Sequence, residues 1–512
     1  MKAKMQSAAD AAGIAALSQK SPGFIAAAAM PGSGSVDAGV TDANNVFDAN
    51  MSGITGYQNL VRTSTVTKTG IKLAANIQFS ADVPVTFMKV LGYQKLTVTG
   101  LSSSAATLPP YLDFYLTLDV SGSMGLPSTT AEAVRMQSIN PDNYVQYPTG
   151  CTLACHFAQP PVNQLYKSAC IDPSPNTPSG AGSVTQKYPT GNYCLGYEIS
   201  RVSQSAYNKL LQNHSGKLPA YKYTSINTSP TQIPQPTAFY STNSKYPNDP
   251  VLSAVSSCPT PGTDNCIQLR LDAVGFALNA TVAANGVDGL LALAQKKEIV
   301  TDQFRIGLYP FIKDIDKTYA PLTKTINGSD TTPGTINYAA KNLAKLLDTN
   351  TNSNLGSGGT HIDTALSSVN NLIYGGGTSL VGDGSAPTTP QPYVFLVTDG
   401  AQDNQYKDVP YGSWHDSNHA TVIDPTKECK TLKGRNIIVS VLYIPYQKID
   451  PVNHSFAGDE DTYANDNIPK IPDSLKACAS PGFFYTANTP EEITASLNAM
   501  FNHALQTAHI TQ

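Results

Sequence analysis

Three short segments of this chain place oxygen-bearing side chains where they could hold a hard cation. Asp119-Val120-Ser121-Gly122-Ser123 follows the apolar run LDFYLTL at 112 to 118 and puts one carboxylate and two hydroxyls on a tight turn. Gly358-Gly359-Thr360-His361-Ile362-Asp363 opens a helical stretch and offers a third hydroxyl, from Thr360. Val397-Thr398-Asp399-Gly400 ends another apolar run with a second carboxylate. Hard cations such as Mg²⁺ take oxygen ligands in near-octahedral geometry and retain several waters, so this donor set suits them. Two carboxylates only just neutralise a divalent ion, which then keeps enough Lewis acidity to attract a further anion. A single DxSxS string is weak evidence, and a capped turn is its bland reading. Three such segments, two of them directly after apolar runs, make the stronger case.

The elements that must position these residues are legible as periodicity. Five short apolar runs read as strands buried on both faces: 112 to 118, 304 to 311 (FRIGLYPF), 393 to 398 (YVFLVT), 436 to 443 (NIIVSVLY) and 482 to 486 (GFFYT). Between them, Leu271, Val274, Leu278 and Val282 recur at helical spacing, as do Ile336, Ala340, Leu343 and Leu347, then Ile362, Ala365, Leu366, Val369 and Leu372. Alternating strands and helices predict an α/β domain, doubly wound around a mostly parallel sheet and Rossmann-like, at 111–125 and 267–512. Ligands bind such sheets at the C-terminal ends of the strands, where Asp119 and Asp399 fall.

Two further units flank or interrupt it. Residues 1–20 include the Ala-rich segment MQSAADAAGIAALSQ, which reads as a helix, and 21–110 contain β-branched runs expected to form a small β-rich unit. The stretch 126–266 is far longer than an ordinary loop, dense in Pro, Ser, Thr, Asn and Tyr, and reads as a cysteine-rich insertion. It holds six of the eight cysteines, Cys151, Cys155, Cys170, Cys194, Cys258 and Cys266. Disulfides would supply the restraint that so few aliphatic residues cannot, and disulfides persist in oxidising compartments, so a cell-envelope location is expected. A formal net charge of −4 leaves no basic excess for nucleic acid. No run of 18 apolar residues is present to span a bilayer.

From Asp119 onward, the insertion excepted, the three metal segments resemble the von Willebrand factor A family and its metal-ion-dependent adhesion site. The resemblance implies that Ser121, Ser123 and Thr360 coordinate directly and that Asp119 and Asp399 bind directly or through water. The hydroxyl-rich set favours Mg²⁺, with Mn²⁺ or Ca²⁺ as other divalent candidates. The segments MQSAADAAGIAAL, ADVPVTFMKVLG, TKECKTLKGRNIIVSVLYIP and SLKACASPGFFYTANTPEEITASLNAM are similar to the TadG-like branch of the bacterial tight-adherence (Flp, type IVb) pilus-assembly proteins. Such proteins usually carry a membrane helix directly before the QSAADAA-like segment, so a native anchor upstream of the 1–20 helix is expected. Cys429 and Cys478 stand apart from the other six cysteines and are expected to pair with each other.

The expected function is metal-dependent binding of a protein that offers an acidic group, a pilin or another pilus-assembly component. A surface or pilus-tip adhesin is the alternative, and a metal-dependent hydrolase a third reading. Enzyme motifs are otherwise missing: there is no GxSxG elbow, no GxxxxGK[ST] and no GxGxxG after a strand. Cys151-x₃-Cys155-His156 lacks a second Cys or His pair at zinc spacing. His361 reads as a loop residue that shapes the site, and Asp403 as either a neighbour of the site or a solvated loop acid.

Overall fold

The computed structural model describes residues 1–508 apart from 87–89, 140–199, 214–246, 251–254, 280–286, 349–351, 376–378, 410–413, 417–418, 451, 453 and 455–457. Cys151, Cys155, His156, Cys170, Cys194 and Val282 lie outside the described residues.

The N-terminal part is an antiparallel sheet with helices on one face. Its strands are β1 (Gly34–Ser35), β2 (Gln58–Thr69), β3 (Lys72–Pro84) and β4 (Lys95–Thr107), in spatial order β1-β2-β3-β4. Along β3, Leu73, Ala75, Ile77, Phe79 and Ala81 alternate inward at the period of two that a half-buried strand requires. They meet Met5, Ala8, Ala9, Ala12 and Ala16 of the helix Lys2–Ala16, all buried. That helix is therefore one wall of this core, and its alanines allow close approach to the sheet. Two more helices, Pro22–Ala29 and Asp37–Met51, complete the layer, so the region is more helical than its β-branched runs suggest. Pro22 is pre-set for the first helical turn, and Ser21 caps it by accepting the Phe24 N–H at 3.0 Å. Propensity over such short Ala- and Gly-rich stretches is a weak signal, and packing on the Lys2–Ala16 helix and β2 decides the outcome.

The larger part is a mixed α/β unit. Its six-stranded sheet contains β5 (Leu112–Asp119), β6 (Phe304–Phe311), β7 (Ala320–Thr323), β8 (Gln391–Thr398), β11 (Ile438–Tyr443) and β12 (Phe484–Thr486). A separate hairpin is formed by β9 (Tyr406–Lys407) and β10 (Trp414–His415). The sheet order is β12-β11-β8-β5-β6-β7, parallel throughout except for the edge strand β7, which pairs antiparallel with β6. All five apolar runs became strands. β7 was not expected, because four residues of mixed polarity carry no periodic signal. Every residue of β5 and β8 is buried, as strands covered on both faces must be.

Helices cover both faces. Phe114, Phe304, Phe395 and Tyr393 on one face pack against the helices Arg270–Asn279, Leu290–Lys297 and Pro490–Ala508, with Phe501 at the centre. Tyr115, Val394 and Val439 on the other face meet the helices Ile362–Leu372, Glu428–Gly434 and Ile471–Cys478. The helix expected through Leu347 stops at Lys341 and continues as a 3₁₀ turn, Leu343–Leu346. Cys429 and Cys478 are disulfide-bonded and tie two helices of the second layer together. Among the described residues no helix is long and apolar enough to cross a membrane.

One close crossing can be tested directly. Gly275 faces the Ala340 carbonyl, and a Cβ there would sit 2.5 Å from that oxygen. We expect Gly275→Ala to cost about 1–3 kcal/mol, because the backbones must part. Chemical denaturation reads this, and an unchanged midpoint would refute the crossing.

The segment 126–266 does not separate cleanly from this unit. Met136, Val202 and Tyr207 are fully buried in the same core as β5. Arg201 forms two bonds to Asp272, at 2.8 and 2.7 Å, and Asp272 also accepts the Cys258 N–H at 3.0 Å and the Leu269 N–H at 2.9 Å. Glu132 accepts the N–H groups of Gln268, at 2.6 Å, and Gly262, at 2.9 Å. Cys258 and Cys266 are bonded to each other across this base. A buried pair that loses one partner leaves an uncompensated charge. The described base of the segment is therefore structural, and excising the whole of 126–266 would break the core.

Candidate metal centre

Asp119 is the last residue of β5 and Asp399 the first after β8, on neighbouring parallel strands. The two carboxylates therefore emerge side by side at the C-terminal edge of the sheet, 1 % and 0 % exposed. The chain after Asp119 turns sharply: the Ser121 N–H donates to Asp119 Oδ1 at 2.9 Å, and a 3₁₀ turn follows at Gly122–Gly125. This turn brings the Ser121 and Ser123 hydroxyl oxygens within 3.4 Å of each other. The strands are also joined at the site itself, where the Thr398 hydroxyl donates to Asp119 Oδ2 at 2.7 Å.

Thr360 is held at the same edge by backbone pairing. Its N–H donates to the Asp403 carbonyl at 2.8 Å, and the Asp403 N–H returns a bond at 3.0 Å. The preceding loop is anchored to the Asp119 turn through Asp348, whose N–H reaches the Val120 carbonyl at 3.1 Å and whose carboxylate accepts Ser357 Oγ and the Gly358 N–H, each at 2.8 Å. Two glycines make this fit possible. Gly359 has φ +63° and a Cβ would lie 2.3 Å from the Asp403 carbonyl oxygen, while Gly400 has φ +83° and presses on Ile471.

The electrostatics are those of a site short of positive charge. Burial raises the Asp119 carboxyl above its ordinary range, against the pull of its bonds from Ser121 and Thr398. Asp399 is pushed up to about 7 by burial first and by the neighbouring Asp119 second, with Arg270 opposing. Neither Asp399 oxygen accepts a hydrogen bond of ordinary length, although the Ser123 hydroxyl faces it and lowers its pKa from farther off, and its nearest cation, Arg270 Nη1, stands 3.8 Å away. Buried carboxylate oxygens are normally satisfied, because an unpaired one loses its hydration without return. A proton or a bound cation would satisfy Asp399 there. The donors fit a hard divalent ion: Asp119 and Asp399 with the hydroxyls of Ser121, Ser123 and Thr360. Among the described residues no three His, Cys, Asp or Glu side chains converge, so hydroxyls must complete any such set here.

The structure brings Asp119, Ser121, Ser123 and Asp399 together and keeps Thr360 on the adjoining loop. His361 is buried, its Nε2 bonded to the Gln405 carbonyl at 3.0 Å, and burial lowers its pKa. That nitrogen must carry the proton to donate, so it serves the loop as a structural donor. Asp403 is half-buried, its Oδ1 accepting the Gln405 N–H at 2.9 Å, so it shapes the Thr360 loop. Three contributors escape a sequence reading: Thr398, Asp348 and Arg270. Thr398 adjoins a suspected ligand and could have been suspected. Arg270 offers only the oddity of a cation at the head of an apolar helix.

No family model matches the chain, and no curated protein does. Among solved structures, the PilB minor pilin from Streptococcus sanguinis aligns over 88 % of this chain and 78 % of its own, at 10 % identity and a TM-score of 0.28. The pilus adhesin SpaC from Lactobacillus rhamnosus GG aligns over 89 % of this chain and 35 % of its own, at 10 % identity and a TM-score of 0.26. Both are pilus proteins, but likeness this slight transfers neither a shared fold nor a function to this chain.

Proposed function

We propose that this chain is a metal-dependent protein-binding component of a bacterial tight-adherence pilus system, and that its larger unit is a von Willebrand A domain. The observation that carries the binding role is the pair of buried carboxylates, Asp119 and Asp399, with both Asp399 oxygens lacking hydrogen bonds of ordinary length. Asp119, Ser121, Ser123, Thr360 and Asp399 would hold one divalent cation, Mg²⁺ by preference. Such a cation supplies positive charge that an acidic group of a partner can neutralise. His361 Nε2 is committed to the Gln405 carbonyl, so that nitrogen holds the loop and cannot serve as a general base. The pilus assignment rests on the sequence segments that resemble the TadG-like branch, and an envelope location agrees with the disulfides.

Exchange of Asp399 for Ala in the native bacterium tests this reading. An assembly component should lose pili from the cell surface. Normal pili with lost adhesion would indicate the adhesin instead, and normal pili with normal adhesion would remove the metal site from either role.

A further inference from the structure

Arg270 is the feature of this site that no ligand list requires. It opens the helix Arg270–Asn279, directly after the described base of the 126–266 segment. Its side chain is 8 % exposed. Nη2 is spent on the Pro445 carbonyl at 2.9 Å, which fixes the guanidinium in place. Nη1 is buried, makes no hydrogen bond and points at Asp399, 3.8 Å from Oδ2. Arginine stays charged in proteins, so this is a permanent cation built in beside the carboxylates.

The charge count then has a consequence for binding. Asp119 and Asp399 bring two negative charges, and Arg270 offsets one of them. A divalent ion enters a site that is already half neutralised, and its entry leaves the cluster with one surplus positive charge. Close charges in a buried setting interact strongly, so the surplus disfavours the cation alone and favours any anion that follows. We infer that Arg270 makes the cation and the partner's acidic group bind cooperatively, weakening the cation's own hold while strengthening capture of a carboxylate once the cation is seated. This rests on the metal-binding reading above and adds to it a reason for the two ligands to arrive together. Coupling of this kind is reciprocal: whatever the cation does for carboxylate affinity, the carboxylate must do for cation affinity. A partner bearing an acidic group would then be held only where both are present.

The test uses the full chain, Mg²⁺ as the cation and acetate as the carboxylate probe, at constant ionic strength. Calorimetry is run on wild type, Arg270→Gln and Arg270→Lys, with and without acetate. Arg270→Gln should bind Mg²⁺ about tenfold or more tighter than wild type without acetate, from one unit charge removed at this range. Acetate should tighten Mg²⁺ binding in wild type and do so much less in Arg270→Gln. Arg270→Lys keeps the charge and should follow wild type. A folded Arg270→Gln protein with unchanged or weaker Mg²⁺ affinity overturns the inference, and so does equal acetate coupling in both proteins. If Arg270→Gln is unfolded in chelator, recovery of its circular dichroism on adding Mg²⁺ supports the inference, and failure to recover overturns it. Wild type that binds no Mg²⁺ at all would instead bring down the parent reading, a result distinct from either.

Discussion

Replacing Asp119 by Ala should abolish divalent-cation binding while the domain stays folded. Asp119 is one of two carboxylates at the site, so the change removes half of its acidic charge, and Arg270 then leaves the remainder close to neutral. A divalent ion entering such a site meets no net attraction, and its affinity should fall by about 100-fold or more. The fold should survive for a balance of reasons. Alanine strands two donors, the Ser121 N–H and the Thr398 hydroxyl, at about 1–3 kcal/mol each if neither finds another partner. Against this, it relieves the burial of a carboxylate next to Asp399, which raises both groups' pKa values. Asp119→Asn is the gentler companion: its amide oxygen keeps an acceptor for the Ser121 N–H, the charge is removed, and the Thr398 hydroxyl must turn to accept from the new NH₂. Calorimetry with Mg²⁺ and Mn²⁺ measures the loss, and circular dichroism verifies the fold. Equal binding by wild type and the alanine variant would show that the cation, if one binds, sits elsewhere.

The bond between Cys429 and Cys478 should be worth about 4 kcal/mol, the chain-entropy value for a closed loop with a sequence separation of 49 residues. Both sulfurs are fully buried between the helices Glu428–Gly434 and Ile471–Cys478. The double variant Cys429→Ala/Cys478→Ala isolates this bond from the cysteines of the 126–266 segment, which a reductant would also open. Its effect should reach the metal centre. Ile471 and Leu475, on the tethered helix, are the side chains packed against Gly400, beside Asp399. A loosened helix therefore frees the turn that aims Asp399, and cation affinity should fall together with stability. Denaturant titration of the double variant gives the first quantity and calorimetry the second. Alkylation of unreduced, denatured wild type followed by peptide mass mapping gives the pairing itself, and free thiols at both positions would refute it.

What was legible in the sequence is what depends on neighbours in the chain. Strands such as YVFLVT are near-continuous apolar runs, and the helix Ile362–Leu372 shows its buried face at helical spacing, so both could be assigned without tertiary information. The Asp119, Thr360 and Asp399 segments were recognisable for the same reason, each being a few residues of characteristic type at the end of such an element. Short or compositionally neutral elements were not. The strand β7, the helices Pro22–Ala29 and Asp37–Met51, and the role of the Lys2–Ala16 helix as a core wall depend on what packs over them.

The sequence by itself thus determined the donor types and the strands that carry them. Tertiary structure decided the charge they work against. Arg270 and Asp399 are 3.8 Å apart in space and far apart in the chain, and no local pattern links them. The same holds for Thr398 and Asp119, joined by a 2.7 Å bond across β5 and β8, and for Arg201 and Asp272, which fasten the base of the cysteine-rich segment to the core. Periodicity records burial one residue at a time. Which buried charges face one another is set by strand order and helix placement, and those are properties of the whole sheet.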